Sequence, residues 1–136
     1  MRLSENFTLQ EFTFSSVALQ RNIPNNPSPP EIDRMKLLCE TILQPIRNKW
    51  KRPILITSGF RSISLNKAVG GVASSQHVKG EAVDIVTEDN IGLWTLINLM
   101  LTNGEIEVGQ LINEKNYSWI HISLATSKYK NVILHL

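Results

Sequence analysis

The run Ala82-Val83-Asp84-Ile85-Val86, entered through His77-Val78-Lys79-Gly80-Glu81, decides how this chain of 136 residues is read. Side chains of a strand alternate between its faces, so Val83 and Ile85 can enter a core while Asp84 looks the other way, into a cleft. Gly80 permits a turn that folds His77 back toward Asp84. Much later, Trp119-Ile120-His121-Ile122-Ser123 follows the same pattern, with Ile120 and Ile122 on one face and Trp119, His121 and Ser123 on the other. A catalytic zinc takes three His or carboxylate ligands and keeps a fourth position for water, so His77, Asp84 and His121 form a sufficient set. Spacing alone leaves a second reading open, in which His77 is an exposed loop residue, His121 a strand histidine bonded to backbone, and Asp84 a turn acceptor.

Outward from this centre, Pro53-Ile54-Leu55-Ile56-Thr57-Ser58 is a short β-branched run bounded by Pro53 and Gly59 and reads as a buried strand. A turn and short helix follow from Arg61 to Val69, stopped by Gly70 and Gly71. Upstream, Ile32, Met35, Leu38, Cys39, Ile42, Leu43 and Ile46 recur at steps of three and four, one face of an amphipathic helix from Pro30 to Trp50. Pro45 should kink that helix or end it near Gln44. The opening Phe7-Thr8-Leu9-Gln10-Glu11-Phe12 suits a short helical turn started by Asn6 or Thr8, and Val17 to Pro30, rich in Asn, Pro and Ser, reads as an ordered irregular connection. Downstream, Thr87 or Asp89 caps a helix through Ile91, Leu93, Trp94, Ile97 and Leu101 that Gly104 closes. Val108 to Asn113 and Trp119 to Leu124 read as a hairpin around Glu114-Lys115-Asn116-Tyr117-Ser118, with Asn131 to Leu136 as a final short strand. The expected fold is a single α+β domain over residues 1–136, with N-terminal helices packed on a small antiparallel sheet.

Composition narrows the function. Fourteen Lys plus Arg against twelve Asp plus Glu leave a formal charge of +2, too small and scattered for a nucleic-acid or membrane-surface partner. The apolar runs fall far short of a bilayer span, and Met1-Arg2-Leu3 leads straight into polar Ser4-Glu5-Asn6, so no signal peptide is expected. The single cysteine, Cys39, excludes an internal disulfide and a Cys-rich zinc knuckle. It lies on the apolar helix face and reads as a small buried hydrophobe. A monomer is the default.

Taken together, Ser58-Gly59-Phe60-Arg61-Ser62, Leu65-Asn66, Val69-Gly70-Gly71, Ser75-Gln76-His77, Gly80, Ala82, Asp84-Ile85 and Trp119-Ile120-His121-Ile122-Ser123 resemble the zinc D,D-carboxypeptidase and endopeptidase family, peptidase M15. The branch it is most similar to is the short one, often phage-encoded or prophage-encoded. The likeness extends to the opening Phe7 to Phe12 segment and to Pro45-Ile46-Arg47. It implies a Hedgehog/D,D-peptidase-like fold and one zinc ion held by His77, Asp84 and His121. It further implies hydrolysis of peptide bonds in peptidoglycan stem peptides by a metal-activated water, and hence peptidoglycan or its peptide fragments as partner. Arg61 is implied near the substrate carbonyl or carboxylate, where a planar cation can stabilise an oxyanion; a structural clamp is the alternative. Ser75 and Gln76 can orient His77, contact substrate backbone or shape a turn, and Trp119 can line the cleft or pack under the sheet.

One departure matters. Better-studied branches carry an acid three positions before the last zinc histidine, and here that position is Ser118. The nearest acid is Glu114. If the hairpin has an even-numbered loop and Glu114 opposes Trp119, then Ile112 opposes His121 and Glu114 sits one diagonal step from it, roughly 7–8 Å. Glu114 is therefore the candidate general base, with a solvated turn acid as the bland reading; Glu81, Glu105 and Glu107 are weaker candidates. Loss of a base altogether describes the competing function, a catalytically weak or inactive zinc-containing cell-wall-binding module. A metal-free domain on the same fold is a third reading.

Overall fold

In the computed structural model, which describes residues 1–136, the chain opens with a two-stranded hairpin, β1 (Arg2–Ser4) and β2 (Phe7–Thr8), that the sequence pattern did not announce. Thr8 then caps α1 (Leu9–Thr13). Its Oγ1 accepts from the Glu11 backbone N–H at 3.2 Å while the Glu11 carboxylate accepts from the Thr8 N–H at 3.0 Å. The irregular connection begins later than expected, because Ser16–Arg21 forms α2. Ser15 Oγ accepts from the Ala18 N–H at 3.2 Å, and left-handed Asn22 ends the helix before Pro24 can interfere.

Pro45 does not end the long helix. α3 (Pro29–Leu38), a π-helical turn (Cys39–Leu43) and α4 (Gln44–Trp50) follow one another directly. In the widened turn the Gln44 N–H bonds the Cys39 carbonyl, five residues back. That shifts the preceding carbonyls away from the place where a proline ring would strike them. The Gln44 amide also holds the opening hairpin: its Oε1 accepts from Ser4 Oγ at 2.8 Å and the Asn6 N–H at 2.9 Å, and its Nε2 donates to Asn6 Oδ1 at 2.8 Å.

The main sheet has the order β3-β4-β6-β5-β7, built from β3 (Leu55–Ser58), β4 (Ala82–Val86), β5 (Gln110–Glu114), β6 (Trp119–Ser123) and β7 (Val132–His135). α5 (Ile63–Ala68) follows β3, and α6 (Asn90–Thr102), capped by Asp89, follows β4. The fold is α+β. Two details differ from the sequence pattern. β3 is an edge strand with Leu55 61% exposed, and its apolar anchor is Ile54, just before the strand. β7 runs parallel to β5 while the other pairings are antiparallel. The reason lies in where β6 ends: the Gly109 N–H bonds the Ser123 carbonyl at 2.7 Å, so the chain leaves β6 beside the start of β5. From there a short loop reaches the outer edge at the level of Gln110, whereas an antiparallel β7 would first have to travel the length of β5, about 16 Å.

One sheet face supplies the core. Val83, Ile85, Leu111, Ile120 and Ile122 are fully buried there against Met35, Leu38, Ile42, Leu93 and Ile97 of the helices. Cys39 belongs to the same cluster, and burial, followed by the nearby Glu11 and Glu40, pushes its thiol pKa up. The opposite face is left for chemistry.

Candidate metal centre

Strand pairing brings two of the three candidate ligands together directly. Asp84 on β4 is the register partner of His121 on β6, and His121 Nδ1 lies 2.9 Å from Asp84 Oδ1. His77 arrives from the loop between α5 and β4, with Nε2 3.4 Å from the same oxygen. Gly80 makes that approach possible. Its φ of +76° is left-handed, and a Cβ there would stand 2.7 Å from the Glu31 carbonyl oxygen, so neither the turn nor the helix beside it has room for a side chain.

The donor set fits a metal ion. The Gly59 carbonyl, 2.7 Å from His77 Nδ1, can only accept, so Nδ1 carries a proton and Nε2 is the ring nitrogen that faces Asp84. One ligand atom from each of His77, Asp84 and His121 lies within 4.8 Å of the others. A tetrahedral zinc with bonds of about 2.0–2.1 Å spaces its ligands roughly 3.4 Å apart, so little movement is needed. Lone pairs turned toward one point repel unless a proton or a cation stands between them. Burial opposes ionisation of Asp84, but hydrogen bonds and charge from His121 and His77 outweigh it and hold the carboxyl below its usual range.

Arg61 stands behind the carboxylate, with Nη2 4.0 Å from Asp84 Oδ2. Its Nε donates to Ser58 Oγ at 3.2 Å and its Nη1 to Asn66 Oδ1 at 3.2 Å. Burial lowers the guanidinium pKa and Asp84 pulls it back up. With five N–H donors and three directions so committed, Arg61 is a clamp that keeps donors to spare toward the cleft.

Eight of the residues singled out from sequence line one cleft of about 350 Å³: Arg61, Ser75, Gln76, His77, Asp84, Glu114, Trp119 and His121; the weaker base candidates Glu81, Glu105 and Glu107 do not line it. Ser75 shapes the loop, its Oγ accepting from the His77 N–H at 3.3 Å, and the Gln76 carbonyl accepts from the Glu81 N–H at 3.0 Å. Trp119 forms part of the wall, and its indole N–H is buried without a partner in the protein. Glu114 pairs with Trp119 and Ile112 with His121, the register that a four-residue loop imposes. Ser118 is exposed in that loop and its Oγ donates to the Lys115 carbonyl at 2.7 Å, so the acid position of other branches is here a turn-closing position. His135 lies on the other side of the sheet against Trp94, ring centroids 5.2 Å apart.

Four wall residues went unread in the sequence: Val72, Ser74, Gln110 and Tyr129. Gln110 was legible in principle, since it shares strand parity with Ile112 and Glu114. Tyr129 is delivered by the loop before β7, for which no periodic signal exists.

The peptidase M15 family model matches residues 5–123. No curated protein matches the chain. With His77, Asp84 and His121 all inside the matched span, the chain belongs to the peptidase M15 family.

Proposed function

We propose that this M15 peptidase is a zinc-dependent hydrolase of peptide bonds in peptidoglycan stem peptides, acting at the cell wall. The observation that carries the metal assignment is the convergence of His77, Asp84 Oδ1 and His121 on one point, with His77 Nδ1 held by the Gly59 carbonyl. Zinc bound there would supply a Lewis acid that acidifies a water and polarises the scissile carbonyl. Peptidoglycan as substrate is supported by the resemblance of the motifs to enzymes of that substrate class.

The chain's own residues divide the remaining work. Glu114, on the cleft face of β5 one diagonal step from His121, takes a proton from the attacking water and returns it to the leaving amine. Arg61 turns its uncommitted N–H donors toward the substrate carbonyl or carboxylate while its other donors fix it to the protein. Ser75 holds the His77 loop in shape, and Gln76 and Trp119 contact the substrate chain along the cleft.

The placement of Glu114 favours an active enzyme over an inactive wall-binding module, since Ser118 lies outside the cleft and its identity leaves the cleft's own acid in place. The test pairs metal content of the purified protein with release of free amino groups from purified peptidoglycan, before and after chelation and zinc return. About one zinc per chain, as a three-ligand site takes, with chelator-sensitive release is the expected result. Zinc without release would support the binding module; no zinc after add-back would overturn the site.

A further inference from the structure

Asn66 belongs to no ligand set and touches no cleft surface, yet it is 3% exposed with every polar group of its side chain used. Ser62 caps α5, its Oγ accepting from the Leu65 N–H at 3.2 Å, and this places Asn66 on the inner side of that helix. There its Oδ1 accepts from Arg61 Nη1 at 3.2 Å and its Nδ2 donates to the Val72 carbonyl at 2.9 Å. Its backbone carbonyl accepts from the Gly71 N–H at 2.8 Å. A Cβ on Gly71 would lie 2.0 Å from Asn66 Oδ1, so the chain passes against this amide with nothing between. Only a group that both accepts and donates can serve a guanidinium and a carbonyl at once, which is what a primary amide provides.

We propose that Asn66 is a positioning residue for the metal centre, acting through Arg61. Held by Asn66 and Ser58, Arg61 meets Asp84 only through Nη2, at Oδ2, and leaves Oδ1 to the two histidines. Without the amide, Arg61 is free to pivot about its Ser58 bond and take both oxygens of Asp84 in a bidentate pair, which competes with the ion for Oδ1. Asn66 therefore prevents the site's own arginine from closing the site. The inference rests on the proposed function for the presence of zinc but not for the substrate.

The experiment is a double-mutant cycle on zinc affinity, measured by competition with a chromogenic chelator, over the wild type, Asn66→Ala, Arg61→Ala and the double variant. Removing groups that orient metal ligands costs about 10-fold to 100-fold in affinity, and a loss of at least 10-fold is expected for Asn66→Ala. In the Arg61→Ala background the same substitution should change affinity less than about 2-fold, because the competitor is gone. Asn66→Asp gives up the bond to the Val72 carbonyl but keeps the acceptor for Arg61, the bond through which the inference acts, so affinity should stay within about 3-fold; with its own fold checked by circular dichroism, it carries the test if Asn66→Ala does not fold. Equal losses in both backgrounds, or a loss in Asn66→Asp as large as in Asn66→Ala, would show a merely structural role and overturn the inference. A wild type that binds no zinc would overturn the proposed function and this inference together, an outcome plainly separate from the others.

Discussion

Gly80 shows how single residues set this site. A left-handed backbone and a carbonyl 2.7 Å from any added Cβ mean that Gly80→Ala strains the turn and pushes on α3 together. Such strain costs about 1–3 kcal/mol, so a lower urea midpoint is expected, with weaker zinc binding because the same loop carries His77. Glu114→Gln removes a proton acceptor without changing shape, and a fall in turnover of about 100-fold to 10,000-fold is expected with zinc content intact. Unchanged turnover would send the search for a base elsewhere. Cys39 lies in the core with its thiol pKa pushed up by burial, so an aromatic disulfide reagent should leave it unmodified until denaturant is added.

At the scale of elements, α3 and α4 were legible as one amphipathic face because burial follows the spacing of Met35, Leu38, Ile42 and Ile46. What the pattern hid was the π-helical turn that lets Pro45 pass, since a one-residue widening leaves no mark in apolar periodicity. The β5–β6 register was legible in part: an even-numbered loop keeps Ile120 and Ile122 inside and His121 on the cleft face, and the pairing of Glu114 with Trp119 is the member of that set the structure adopts. The opening hairpin was not legible, because β1 and β2 are too short for alternation to show and are fastened by the Gln44 amide from another element. Gln44→Ala removes those bonds from a half-buried position, and each is worth about 0.5–1.5 kcal/mol net. A stability loss of that order, with hydrolytic activity per folded molecule unchanged, is expected from thermal melts and amine-release assays.

Over the whole molecule, a sheet with one face in the core and one face free explains why the site could be read before the fold was known. Parity alone sends Asp84, His121 and Glu114 to the face that Val83, Ile85 and Ile120 leave. The loop residues obey no such rule, and Tyr129 joined the cleft unannounced for that reason. Asn66 was visible as part of a motif, but its work depends on a carbonyl and a guanidinium that only the folded chain brings to it. Because the ligands come from β4, β6 and the loop between α5 and β4, an ion there ties together parts distant in sequence. Zinc at about 100 times its dissociation constant should raise unfolding stability by about 2.7 kcal/mol, and a chelator should reverse the gain.

The central claim is the place of the ion, and anomalous diffraction at the zinc edge from zinc-soaked crystals tests it most directly. The expected map has one strong peak within bonding distance of His77 Nε2, an Asp84 oxygen and His121 Nδ1. A map with no peak there, or with its strongest peak on other residues, would contradict the claim.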